Sequence, residues 1–210
     1  MSFELFNIIT AYGDQVNLTV EEDPDSILNN LKQFDNNWSK YNPRKDINRW
    51  GLSVTNLDGK LGPGPDLDSL YEYNKENNTN ISESDFIVPT PVYDIVRSYC
   101  DPFKKWLFRS HILKLEPGGF FPNHVDNIGP TIDSFRLLVP LQVCDPKDNG
   151  YFIYEQYKIL FWKYGYLYFL NTCKRHTIFN ASDEHDHIVL IMNVKLTEES
   201  VSTVTSLIEA

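Results

Sequence analysis

A chain of 210 residues with 41% hydrophobic and 14% aromatic content can bury one substantial core, and a second full domain would be cramped. Its 19 Lys and Arg against 29 Asp and Glu give a net charge of −10, which repels phosphate backbones and anionic membranes and leaves no basic footprint for nucleic acid. Three cysteines, Cys100, Cys144 and Cys173, with no CxxC pair, no basic leader and no apolar run near the roughly 20 residues of a membrane helix point to a cytoplasmic chain.

The first hundred residues read as irregular, helical and loop-rich text. A helix is expected over 25–34, where Ile27, Leu28 and Leu31 follow an acidic capping stretch, and another over 91–107, divided at Pro102. Residues 71–84 are polar enough for a solvated loop, and the pairs Asp23/Asp25 and Asp66/Asp68 read as solvated turns and caps. From about residue 107 the texture changes to β-rich runs at 108–115, 134–143, 151–156, 158–162, 166–170 and 187–195, separated by turn residues that include 145–150. A packed helix over 197–208, with Val201, Val204, Leu207 and Ile208, closes the chain. Strands at this spacing imply an antiparallel sandwich or barrel, and the jelly roll is the version that encloses a site. The chain thus divides into a flanking part (1–104), a β core (105–196) and a terminal helix, within a single domain.

Two histidines and an aspartate stand out: His124-Val125-Asp126, and His176 farther along. In extended chain, residues i and i+2 project to one side, so His124 and Asp126 face one point while Val125 turns away. His176 must come from another strand. Neutral nitrogen and hard oxygen suit Fe(II), without excluding Mn or Zn.

The segments RSHILKLEPGGFFPNH (109–124), FRLLVPL (135–141), GYLYFLN (165–171) and HTIFNASDE (176–184) resemble, in order, the aspartyl/asparaginyl β-hydroxylase-like oxygenases, over roughly residues 105–195. That resemblance implies a double-stranded β-helix, a jelly roll, that uses Fe(II), O2 and 2-oxoglutarate to hydroxylate an unactivated C–H bond. It implies His124, Asp126 and His176 as the iron ligands and Arg136 as an arginine that reaches 2-oxoglutarate, a match to the donor fork of a guanidinium. The bland reading of Arg136 is an edge-strand surface residue. Gly118 and Gly119 would allow the tight approach into the metal-bearing loop.

One departure concerns the arginine that the family places beyond the distal histidine to anchor the far carboxylate of 2-oxoglutarate. Here that place holds Asp186 or, with a one-residue shift, His187. His187 is a substitute anchor or part of an exposed turn. Arg109, on the face shared by His111, Leu113 and Leu115 if that face looks inward, is a second candidate. Arg49 and Trp50 are candidates for binding a carboxylate-bearing or aromatic substrate, the alternative for Trp50 being packing of the N-terminal segment. The expected partner is a small amino-acid-like metabolite or a peptide residue, with no nucleic acid and no membrane. The competing readings are a cupin-like metal enzyme that does not use 2-oxoglutarate and a non-catalytic jelly-roll module.

Overall fold

The structure is a computed structural model and describes residues 2–42, 46–126, 132–142, 150–155, 158–159 and 163–208. Cys144, the turn residues 145–149 and the end of the run expected over 158–162 lie outside the described residues. Five helices are described: α1 (Ser2–Thr10), α2 (Pro24–Leu31), α3 (Leu70–Asn77), α4 (Arg97–Cys100) and α5 (Glu198–Ser206). The strands are β1 (Gln15–Glu21), β2 (Ser39–Lys40), β3 (Arg49–Ser53), β4 (Thr55–Asn56), β5 (Val88–Pro89), β6 (Leu107–Leu115), β7 (Phe120–His124), β8 (Ser134–Gln142), β9 (Gly150–Tyr154), β10 (Lys158–Ile159), β11 (Tyr166–Leu170), β12 (His176–Asn180) and β13 (His187–Lys195).

They form a large antiparallel sheet in the order β1-β11-β8-β13-β6-β3-β2 and a small one in the order β10-β9-β12-β7, with β4 and β5 as a separate pair. This is the expected mainly-β jelly roll, the double-stranded β-helix, with helices flanking it and one closing the chain. The N-terminal part departs from its helical reading, because β1, β2 and β3 extend the large sheet at both edges.

The central strands are apolar on both faces, which is why they read as continuous hydrophobic runs rather than as alternation. On β13, Ile188, Leu190, Met192 and Val194 join a core with the helices, while Val189 and Ile191 join a second core against the small sheet. On β8, Phe135, Leu137, Val139 and Leu141 take the helix side and Leu138 the inner side. Pro140 offers no ladder donor, and the β13 pairing slips beside it, from Gln142 opposite Ile188 to Pro140 opposite Val189, the bulge that a proline inside a sheet requires.

Asp23 caps α2, its carboxylate accepting from the Asp25 and Ser26 amides, whereas the helix expected over 91–107 with a division at Pro102 is instead a short turn at Pro91–Asp94, α4 and a second turn at Asp101–Phe103, already broken at Val96 before the proline. Residues 70–77 form α3 rather than loop. It ends on Asn78 at φ 52, the left-handed cap that asparagine tolerates, while the Asn74 side chain ties back Thr79 and Ile81. Asp66 is buried rather than solvated, and it accepts from Ser53 Oγ. No described helix is long and apolar enough to cross a membrane.

Candidate metal centre

The small sheet sets the site. β12 pairs with β7 so that His176 lies opposite His124, with ring centroids 4.3 Å apart. β7 ends at His124, so Asp126 is not the third residue of a strand as expected. It sits in the bend beyond, where its amide donates to Thr172 O at 2.9 Å. The carboxylate still swings to the histidines: His124 Nε2 to Asp126 Oδ1 is 3.3 Å, and His176 Nε2 to Asp126 Oδ2 is 3.8 Å.

Both imidazoles are oriented the same way. His124 Nδ1 is 2.7 Å from Pro122 O and His176 Nδ1 is 2.8 Å from Lys174 O. A carbonyl only accepts, so each Nδ1 carries the proton and each Nε2 presents a lone pair. Burial pushes the His176 pKa down, which favours the neutral, ligating form. Burial works against the Asp126 charge, but Arg136, then His124 and His176, hold its carboxyl down to about 2. Two lone-pair nitrogens and a carboxylate therefore converge, with ligand atoms all within 4.8 Å of one another. Acceptors gathered without a donor between them fit a cation: facial ligands at metal–nitrogen distances of about 2.1 Å stand about 3 Å apart.

Arg136 comes from β8, beside Leu138 on the inner face, and its Nη1 lies 2.9 Å from Asp126 Oδ2. It is thus drawn to the Asp126 carboxylate rather than to the solvent. A cavity of about 40 Å³ opens next to the triad, with His124, His176, Arg136 and Thr172 as its polar lining and Leu113, Phe121, Leu138, Leu170, Ile178 and Ile191 as its apolar wall.

The other anchors separate. Arg109 is misplaced by a bulge: its φ is +34, and the β6–β13 register slips between Ile191 and Asn193. The slip turns its guanidinium to Asp66 O, Asp68 O and the Glu83 carboxylate, so it does not share the inner face with His111 and does not line the cavity. His187 is not an exposed turn residue. It is buried at the start of β13 with Nδ1 unpartnered, though it too stands outside the cavity lining. Trp50 takes the outer face, with Lys40 Nζ 4.4 Å from its ring centre, which is the packing role. Arg49, its neighbour, faces inward and is 1% exposed.

Gly118 has φ +74, and a Cβ on Gly119 would lie 2.2 Å from Asn48 O, so the approach to β7 needs both glycines. Thr172 and Tyr41 had no signal in the sequence. Thr172 accepts the Asp126 amide and lines the cavity, and Tyr41 makes ring contacts with His111 and Phe121 at 5.0 and 5.7 Å. Both contacts depend on long-range pairing.

No family model matches the chain, and no curated protein matches it. Solved structures do. HygX from Streptomyces hygroscopicus, solved with nickel, 2-oxoglutarate and hygromycin B bound, aligns at 10% identity over 94% of this chain and 88% of its own, with a TM-score of 0.57. The non-haem α-ketoglutarate-dependent epimerase SnoN from nogalamycin biosynthesis aligns at 9% identity over 92% and 81%, with a TM-score of 0.56. A Pseudomonas putida prolyl-4-hydroxylase aligns at 11% identity over 92% and 99%, with a TM-score of 0.53. Nothing among these neighbours singles out the aspartyl/asparaginyl β-hydroxylase-like group. What they share with this chain is the double-stranded β-helix, the fold of these oxygenase structures.

Proposed function

We propose that the chain is an Fe(II)- and 2-oxoglutarate-dependent dioxygenase that hydroxylates an unactivated C–H bond of a small amino-acid-like metabolite or peptide residue. The observation that carries this reading is the convergence of His124 Nε2, His176 Nε2 and the Asp126 carboxylate at the mouth of a largely apolar cavity. Two imidazoles and one carboxylate make a facial set that leaves positions for co-substrate and dioxygen, whereas a cupin-like centre generally uses more histidines.

In this reading His124 and His176 hold the metal through Nε2, their planes fixed by the Pro122 and Lys174 carbonyls. Asp126 gives one oxygen to the metal while Arg136 steadies the carboxylate from the other, an outer contact of the kind that fixes ligand geometry. The remaining N–H groups of Arg136, on the cavity wall, meet an anionic co-substrate. Leu113, Leu138, Leu170, Ile178 and Ile191 exclude water from the reacting space. Bound there, iron with 2-oxoglutarate and O2 supplies the oxidation, yielding succinate, CO2 and a hydroxylated product.

The test is turnover. Protein supplied with Fe(II), 2-oxoglutarate and O2 should form succinate slowly without added substrate, and faster when candidate amino acids include the right one. His176→Ala should form none. Succinate formation that is equal in both proteins would reject the reading.

A further inference from the structure

Arg49 is the most deeply buried arginine among the described residues and has no acid to pair with. It is 1% exposed, and it sits on β3 in register with Leu115 of β6, which in turn is in register with His187 of β13. Registered residues project to one side of a sheet. Leu115 belongs to the core between the two sheets, so the side chains of Arg49 and His187 enter that same interior.

The Arg49 guanidinium donates through Nε to Tyr41 O at 3.0 Å and lies 4.7 Å from the Phe121 ring centre and 5.5 Å from that of Tyr41. Its Nη1 is buried without a partner, and among the described residues no carboxylate forms an ion pair with it. On the same inner side of the sheet, both ring nitrogens of His111 and Nδ1 of His187 are also buried without partners. Burial lowers the pKa of both histidines, to about 3 and about 4 respectively, so neither adds a charge. Arg136 on the same inner face is paired with Asp126, so among the described residues Arg49 remains the unpaired cation of this interior.

A buried, uncompensated guanidinium costs several kcal/mol, and an unmade donor adds to that. Apolar packing alone would be served better by a methionine. The retained charge makes sense if an anion completes it.

The geometry gives that anion a route. Arg49 is not itself part of the cavity lining, but Phe121, over whose ring the guanidinium lies, is, and that ring's centre is 4.9 Å from that of His124. The path from His124 to the guanidinium runs through these two contacts, 4.9 and 4.7 Å, and a five-carbon diacid covers about 5 Å between its end carbons, to which its bonds to the metal and to the guanidinium add at either end.

We infer that Arg49 is the cationic anchor for the remote carboxylate of the 2-oxo acid held at the triad, reaching it from β3, near the edge of the large sheet. This rests on the proposed function. It assigns to β3 the charge that neither Asp186 nor His187 supplies on the far side of Leu115. Arg136, paired with Asp126, stays with the metal end.

The experiment measures binding to the Co(II)-loaded full chain under anaerobic conditions, followed by its visible spectrum, for 2-oxoglutarate and for 2-oxopentanoate. The second acid has the same chain length and a methyl group in place of the remote carboxylate. Wild type should bind 2-oxoglutarate about 10- to 100-fold tighter, the worth of one charge-assisted bond. Arg49→Met should lose most of that ratio by weakening 2-oxoglutarate alone, and Arg49→Lys should recover part of it. Without ligand, Arg49→Met should unfold at a temperature no lower than wild type, because the variant removes an unpaired buried charge. A ratio undiminished in Arg49→Met, or equal weakening of both acids, overturns the assignment while leaving the oxygenase reading standing. If wild type binds neither acid, the oxygenase reading fails, and the assignment with it.

Discussion

Arg136 Nη1 lies 2.9 Å from Asp126 Oδ2, so one oxygen of the carboxylate is neutralised by a guanidinium before any metal arrives. Burial alone would push the Asp126 pKa up, and the charge of Arg136 is the largest influence bringing it down to about 2. Arg136→Leu should therefore weaken Co(II) binding by about 10- to 100-fold, the usual cost of removing a partner that orients a ligand. It should also move the pH midpoint of metal binding upward, because a proton then competes for Asp126. Calorimetric titration between pH 5 and pH 8 measures both effects. An unchanged midpoint would mean that the ion pair is incidental.

The triad itself makes a sharper demand. His124→Ala, Asp126→Ala and His176→Ala each remove one of the converging acceptors and should abolish stoichiometric Fe(II) binding. All three should still unfold cooperatively, since the apolar cores on both faces of the large sheet do not include them. Circular dichroism with a metal titration checks the pair of outcomes. A variant that binds iron as wild type does would exclude that residue as a ligand.

His111 and His187 make the fold sensitive to acid. Their folded pKa values, lowered by burial to about 3 and about 4, lie below the unfolded value of about 6.5. Below pH 6.5 the unfolded chain binds more protons than the native one, so stability is complete above that pH and falls as pH drops toward 4. By pH 4 the loss is about 3 kcal/mol per histidine. His187→Leu should flatten this decline, measured as urea midpoints from pH 7 to pH 4. An equally steep decline in the variant would contradict the burial of a neutral imidazole.

Adjacent glycines before β7 differ in what they tolerate. Gly119→Ala would drive its Cβ against the Asn48 carbonyl, 2.2 Å away, and should cost about 1–3 kcal/mol as well as loosen β7, which carries His124. Gly118→Ala meets nothing within 4 Å but keeps φ +74, which costs about 1–2 kcal/mol. Denaturant titration should rank Gly119→Ala below Gly118→Ala and wild type. The reverse order would count against this path for the chain.

The sequence revealed the β core because β6, β8, β11 and β13 are buried on both faces and write themselves as apolar runs. It hid β7, whose FFPNH text contains a proline and no alternation, and β12, five residues with a polar start. β7 carries His124 and β12 carries His176, so the candidate site was legible as residue types before it was legible as strands. In β1, Val16, Leu18 and Val20 do alternate, yet irregular surroundings outweighed that pattern. The bulge at Arg109 and the inward turn of Arg49 arise from register and burial across distant strands, which no local pattern encodes.

The central claim is that this chain holds Fe(II) by His124, Asp126 and His176 and chelates a 2-oxo acid on it. The most direct measurement is the visible spectrum of the anaerobic protein with Fe(II), before and after 2-oxoglutarate is added. A weak charge-transfer band that appears on addition, saturates at one equivalent and is missing from His124→Ala is the result expected. Folded protein that binds iron and shows no band with excess 2-oxoglutarate would contradict it.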